Sequence, residues 1–203
     1  MTITALRRTS ADRITVALAD GSEIKSALAV VTDWRLFPGK QLEEEELALL
    51  RRDSCRALAR DRALELISRR LMSRKELRDK LLQKGADEDA ADYSVGWLSD
   101  HGFLNDESYA AAVARHYAAK GYGAGRVRSE LSRRGVGREL WDEAVESMPE
   151  PDGKLDKFIA ARLKDPEDQD QIRKISAALF RRGYSWEEIR TALRRYTDNI
   201  EED

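Results

Sequence analysis

Three glycines, Gly85, Gly135 and Gly183, stand 50 and 48 residues apart, and each closes the same pattern. A basic residue precedes each one (Lys84, Arg134, Arg182), and a leucine lies four positions before it (Leu81, Leu131, Leu179). Eight positions before comes another aliphatic: Leu77, Val127 or Ile175. The two apolar positions are i, i+4 neighbours on one helical face. The glycine suits the left-handed position that ends a helix, because it has no Cβ to clash there. Positions 6, 10 and 13 after the glycine are Ala91, Val95 and Leu98, then Trp141, Val145 and Met148, then Ile189, Leu193 and Tyr196. A spacing of four and then three is the inner stripe of an amphipathic helix. Five aligned apolar positions in three copies constrain the chain to a helical repeat.

Each copy also carries a preceding helix, marked by Leu64, Ile67 and Leu71, by Tyr109, Val113 and Tyr117, and by Leu155, Phe158 and Ile159. Start signals agree. Ser73 with Glu76 and Ser185 with Glu188 read as capping boxes, and Asn105-Asp106-Glu107 places a cap before acidic first-turn residues. The expected fold is therefore mainly α, with tandem three-helix repeats over residues 53–102, 103–150 and 151–203. A fifty-residue module is small for independent stability, so the modules are expected to stack into an elongated, curved solenoid. Met148-Pro149-Glu150-Pro151-Asp152-Gly153 reads as a linker that gives some freedom between the second and third copies.

Residues 1–52 read differently. Arg13–Leu18 and Glu23–Leu28 alternate with period two around Asp20-Gly21, which is a β-hairpin signal because the turn needs positive φ. Pro38-Gly39 follows, and Leu42–Leu50, with acids at 43–46, reads as a short acidic helix. A lone hairpin is barely stable in water, so this segment is expected to lean on that helix or on the repeats, as an end cap.

Charge narrows the function classes. Lys and Arg total 36 against 38 Asp and Glu in 203 residues, a net charge of −2, which excludes a globally basic nucleic-acid coat protein. The single cysteine, Cys55, allows no internal disulfide or cysteine metal cluster. The longest apolar runs, Ala27–Val31 and Ala110–Ala114, are too short to span a bilayer. A cytoplasmic protein without membrane contact is expected. No catalytic constellation is visible, so neither an enzyme nor a cofactor is expected. His116 lies in a helical pattern without an orienting carboxylate, and His101 lies in a helix-ending turn; both read as packing residues.

Gly121-Tyr122-Gly123-Ala124-Gly125-Arg126 superficially resembles a phosphate loop, but it joins two helices and lacks the Gly-Lys-Ser/Thr ending. It reads as a helix–helix turn, with Tyr122 exposed beside Arg126 as a possible partner contact. The second helices are more informative. The first carries Arg74, Lys75, Arg78, Lys80 and Lys84 against Glu76 and Asp79, a net +3. The next carries Arg126, Arg128, Arg133 and Arg134 against Glu130, again +3. The third carries Arg173, Lys174, Arg181 and Arg182. The third helices of the first two copies are acidic, which disfavours a helix-turn-helix reading, since that motif sets the helix after the turn between phosphates. Two arrangements remain open: a basic stripe for a partner or nucleic acid, or solvated faces balanced by neighbouring acids. The candidate contacts are Arg74, Lys75, Arg78, Lys84, Tyr122, Arg126, Arg128, Arg133, Arg134, Arg181 and Arg182.

These residues resemble the RecX regulatory proteins. The resemblance rests on Gly102-Phe103-Leu104-Asn105-Asp106-Glu107-Ser108-Tyr109-Ala110 leading to Arg115-His116-Tyr117, and on Gly125-Arg126-Val127-Arg128-Ser129-Glu130-Leu131-Ser132-Arg133-Arg134-Gly135-Val136. The first copy adds the stretch from Arg69 to Gly85. It covers residues 54–148 strongly and 154–196 more weakly. The resemblance implies a non-enzymatic, monomeric modulator of the RecA recombinase in DNA repair, homologous recombination and the SOS response. Such proteins lie in the groove of the RecA–single-stranded DNA filament and inhibit strand exchange, ATP hydrolysis and coprotease activity. The alternative is a helical repeat protein that binds single- or double-stranded DNA through its basic second helices, independently of RecA.

Overall fold

The computed structural model describes residues 1–149 and 153–197. The chain divides into two compact units, Met1–Asn105 and Asp106–Asp203.

The first unit opens with three antiparallel strands, β1 (Ile3–Arg8), β2 (Arg13–Leu18) and β3 (Glu23–Ala27), in the order β1-β2-β3. The expected hairpin is β2–β3, turning at Gly21 with φ +83°. β1 is an addition to it. Its register shifts between Ile3 and Ala5, and this irregularity breaks the alternation that would mark a strand. Helix α1 (Leu28–Asp33) follows, and then α2 (Glu44–Arg69). Leu50 and Ala57 on α2 join Ile14, Val16, Leu18 and Ile24 of the sheet in one apolar core. Ser54 Oγ donates to Ser26 Oγ at 2.8 Å, so two fully buried hydroxyls satisfy each other beneath the sheet.

The short acidic helix expected over 42–50 is the start of this 26-residue helix. Nothing after Leu50 breaks it, and its far half carries Ala63, Leu64 and Ile67 into the core of the first repeat. One helix therefore serves both the sheet and the repeat. Leu71, expected on that helix, lies beyond its end and is 65% exposed. The backbone extends at Arg70 to enter the Ser73–Glu76 capping box, and Met72 takes the buried place beside Leu77 instead. Met72 and Leu77 are the N′ and N4 positions of a hydrophobic staple. Helices α3 (Arg74–Gln83) and α4 (Glu88–Asp100) complete the first repeat.

The second unit holds two further three-helix sets. The first is α5 (Asp106–Ala119), α6 (Ala124–Arg133) and α7 (Trp141–Glu146), with a 3₁₀ turn over Arg138–Leu140. The second is α8 (Lys154–Ala160), α9 (Gln169–Arg181) and α10 (Trp186–Thr197). All fifteen aligned apolar positions lie in, or pack against, the three repeat cores. The glycine turns are the same structure three times. Gly85, Gly135 and Gly183 have φ of +88°, +68° and +90°. The following residue donates its N–H to the carbonyl of Leu81, Leu131 or Leu179, at 3.0, 3.0 and 3.3 Å. That is the Schellman pattern, which satisfies carbonyls a helix end would otherwise leave orphaned. Part of the expected linker, residues 150–152, lies outside the described residues.

Candidate functional site

In the first two repeats the basic second helix and the acidic third helix are cross-linked to each other. Seven positions before the repeat glycine stand Arg78 and Arg128, and seven positions after it stand Asp92 and Asp142. Arg78 grips Asp92 with two hydrogen bonds of 2.5 and 3.1 Å, and Arg128 reaches Asp142 at 3.0 Å. The hydrogen bond from Arg78 holds the Asp92 carboxyl below its ordinary range. Arg56 on α2 binds Asp89 in the same bidentate way, at 2.7 Å twice. Neighbouring acids thus balance much of the expected basic stripe, as the second of the two arrangements required.

On α6 a different device appears. Glu130 is 4% exposed, and Arg126, Arg133 and Arg134 converge on it at 2.8, 2.7 and 3.5 Å. Burial pushes its carboxyl up, but hydrogen bonding and charge from Arg133, with help from Tyr117 and Arg126, outweigh that and leave it below its ordinary value. Arg134 also donates to the Tyr109 hydroxyl at 2.7 Å. Arg134 thus ties the end of α6 to α5, and Glu130 holds the three guanidinium groups together.

The glycine-rich turn is a backbone clamp between the second and third repeats. The N–H of Gly123 donates to the Arg182 carbonyl at 3.0 Å, and that of Gly125 to the Gly183 carbonyl at 2.9 Å. A Cβ on Gly123 would meet the Gly183 oxygen at 2.5 Å, and one on Gly183 would meet the Arg126 nitrogen at 2.1 Å. Only glycines permit this approach. Tyr122 is half-buried rather than exposed, with the guanidinium groups of Arg182 and Arg126 5.5 and 5.9 Å from its ring. Lys154 adds a hydrogen bond to the Ala119 carbonyl at 2.8 Å.

The remaining candidates are placed as follows. Lys75 pairs with Asp79 one turn along α3 at 2.6 Å, Arg74 opens that helix, and Lys84 sits exposed at its C-cap. Arg182 lies 4.6 Å from the Phe158 ring and spans the two repeats of the second unit. Arg181 is exposed and has no ion pair among the described residues. His101 stacks on Trp97 with ring centres 4.0 Å apart and ends α4, and His116 lies edge-on to Tyr117. Among the described residues, no three His, Cys, Asp or Glu side chains gather as a metal site, and no helix is long and apolar enough to cross a membrane.

One group went unread in the sequence. Phe180 and Trp186 flank the third glycine turn and stack with ring centres 5.1 Å apart, yet they are 52% and 54% exposed. Beside them a groove between α9 and α10 is lined by Ser176, Ile189, Arg190 and Arg194, with no acidic side chain. Aligning the repeats outside their apolar frame exposes the signal. The positions that hold Arg78 and Asp92, or Arg128 and Asp142, hold Ser176 and Arg190 in the third copy.

Three family models match in tandem, described as RecX first, second and third three-helix domains, over residues 59–98, 105–145 and 159–193. A regulatory protein RecX of Xanthomonas axonopodis pv. citri is 38% identical over 136 residues, covering 66% of this chain and 84% of that protein. One from Vibrio vulnificus is 32% identical over 138 residues, covering 66% and 90%. Among solved structures, a regulatory protein RecX superposes with a TM-score of 0.71 over 98% of both chains at 21% identity. RecX from Lactobacillus salivarius gives 0.62 over 71% of this chain and 97% of its own, at 23% identity.

Proposed function

The chain belongs to the RecX family of regulatory proteins, and on that premise we propose that it binds the RecA–single-stranded DNA filament and lowers its recombinase, ATPase and coprotease activities. The observation that carries the reading is the tandem series of three family domains between residues 59 and 193, in a chain similar to relatives named as regulatory proteins. The protein works by binding, not by catalysis, as a monomer in the cytoplasm.

The second helices supply the contacts in this reading. Pairing with acids does not remove them from the list. An exposed ion pair is worth only about 0–1 kcal/mol, so Lys75, Arg78 or Arg128 can exchange a carboxylate for a phosphate or an acidic partner side chain at little cost. Arg126, Arg133 and Arg134 are different, because leaving Glu130 strands a buried carboxylate. We therefore rank Arg74, Lys75, Arg78, Lys84, Arg128 and Arg181 ahead of them as partner contacts.

The test is RecA's DNA-dependent ATPase and strand exchange with increasing amounts of this protein. Both should fall; no change over a wide stoichiometric range would sink the reading. Direct DNA binding without RecA is the second reading, favoured by the cation-lined, acid-free groove of α9 and α10. It predicts an affinity that drops steeply with salt.

A further inference from the structure

The first two repeats close the seam between their second and third helices with an ion pair, Arg78 to Asp92 and Arg128 to Asp142. The third repeat has Ser176 and Arg190 at those positions, and the seam is open. Three residues either side of the turn, the first two repeats have Leu82 and Glu88, then Ser132 and Arg138; the third has Phe180 and Trp186. The changes therefore fall together, on one edge of one repeat.

Their sum is a specific surface. Trp186, Arg190 and Arg194 lie four residues apart along α10 and so form one stripe. Phe180 stacks on Trp186 with only 20° between ring planes, and each ring is more than half exposed. Neither Arg190, Arg194 nor Arg181 has an ion pair among the described residues, whereas the corresponding edge of the other repeats is neutralised. Of the two acids in the first turn, neither lines the groove beside Arg190 and Arg194. Glu188 is folded back onto the Ser185 N–H at 2.6 Å and borders the neighbouring hollow, where Phe180, Arg181, Arg126 and Arg128 also lie. Adjacent aromatic faces with guanidinium groups along one side match a strand that offers bases and phosphates at once. Base stacking on aromatic side chains and backbone attraction to cations are the two parts of sequence-tolerant single-strand binding.

We infer that the Phe180–Trp186 pair, with Arg181, Arg190 and Arg194, is a base-stacking site for single-stranded DNA. The site deepens the reading above by assigning strand contact to the third repeat, and it rests on that reading only for its biological setting. A duplex does not fit it, because paired bases keep their faces within the stack.

The experiment uses the full chain and labelled oligothymidylate, an abasic deoxyribose oligomer of equal length, and a blunt duplex, with affinity read by fluorescence anisotropy. The wild type should bind oligothymidylate more tightly than the abasic oligomer. Phe180→Ala with Trp186→Ala should lower oligothymidylate affinity about tenfold for each stacked base, and leave abasic affinity unchanged. Trp186→Phe should retain most of the affinity, and circular dichroism should show both variants folded. Arg190→Glu with Arg194→Glu should weaken both single strands and flatten their salt dependence. Equal wild-type affinity for the two single strands, or unchanged affinity in the double alanine variant, overturns the site. So does loss of RecA inhibition with oligothymidylate affinity intact, since the surface would then take protein. If oligothymidylate behaves as expected while RecA ATPase is untouched by wild-type protein, the stacking site stands and the RecA reading falls.

Discussion

The first and third repeats are built on one frame and finished with different edges. Both end their second helix with a Schellman turn on a glycine near φ +90°, and both bury the same leucine completely, Leu81 or Leu179. Around that turn the first repeat is stapled by Arg78 and Asp92, while the third leaves a groove beside two exposed aromatic rings. Positions that fill the core are held to type because a packed interior tolerates little change in volume. Positions on the rim carry small energies each, so they can be exchanged for binding chemistry without cost to the frame. The second repeat has the first repeat's staple and adds a buried carboxylate of its own, Glu130.

The sameness of the frame is tested most severely in its core. Leu81→Ala, Leu131→Ala and Leu179→Ala each remove a fully buried side chain and should cost about 3–5 kcal/mol, read by urea denaturation. A third-repeat leucine that proved much cheaper than the first would break the comparison. The glycines should separate next. Gly85→Ala meets open space and should cost about 1–2 kcal/mol for its backbone alone. Gly183→Ala places a Cβ 2.1 Å from the Arg126 nitrogen and should add about 1–3 kcal/mol by forcing the clamp apart.

Glu130→Gln should cost about 1–2 kcal/mol by weakening hydrogen bonds from charged donors. It should also change the response to acid. The folded-state pKa of Glu130 is lowered, so its contribution is present above the ordinary value of 4.5 and is lost as pH falls through the folded value. Chemical denaturation of the wild type at successively lower pH should show that loss, and the glutamine variant should show less of it. The smallest effects belong to the rim. Asp92→Asn and Asp142→Asn should lower the melting temperature slightly at low salt and not at high salt. Ser176→Arg with Arg190→Asp would import the staple into the third repeat. It should leave stability nearly unchanged and lower oligothymidylate affinity.

Much of this architecture was legible in the sequence, and the parts that were not share a cause. The aligned stripes, the three left-handed glycines and both serine capping boxes depend on neighbours within about one helical turn, and each is observed. β1 was hidden because its register shift defeats period-two alternation and no glycine marks its turn to β2. The length of α2 was hidden because one half answers to the sheet and the other to the first repeat. The same holds at the surface. Basic and acidic helices could be counted, but not their cross-links, since Arg78 and Asp92 are 14 residues apart and meet only across a seam.

The sequence by itself determined a helical repeat of three-helix units, because helical periodicity and left-handed glycine ends are local physics that a chain cannot conceal. Only the tertiary structure decided that the helix–helix turn at Gly123 and Gly125 clamps the third repeat through its backbone. It decided as well which cations are spent on neighbouring acids, and that Phe180 lies against Trp186 in the open. Those outcomes depend on distances between groups far apart in the chain. Coulombic and stacking energies act over a few ångströms of space, whatever the separation in sequence.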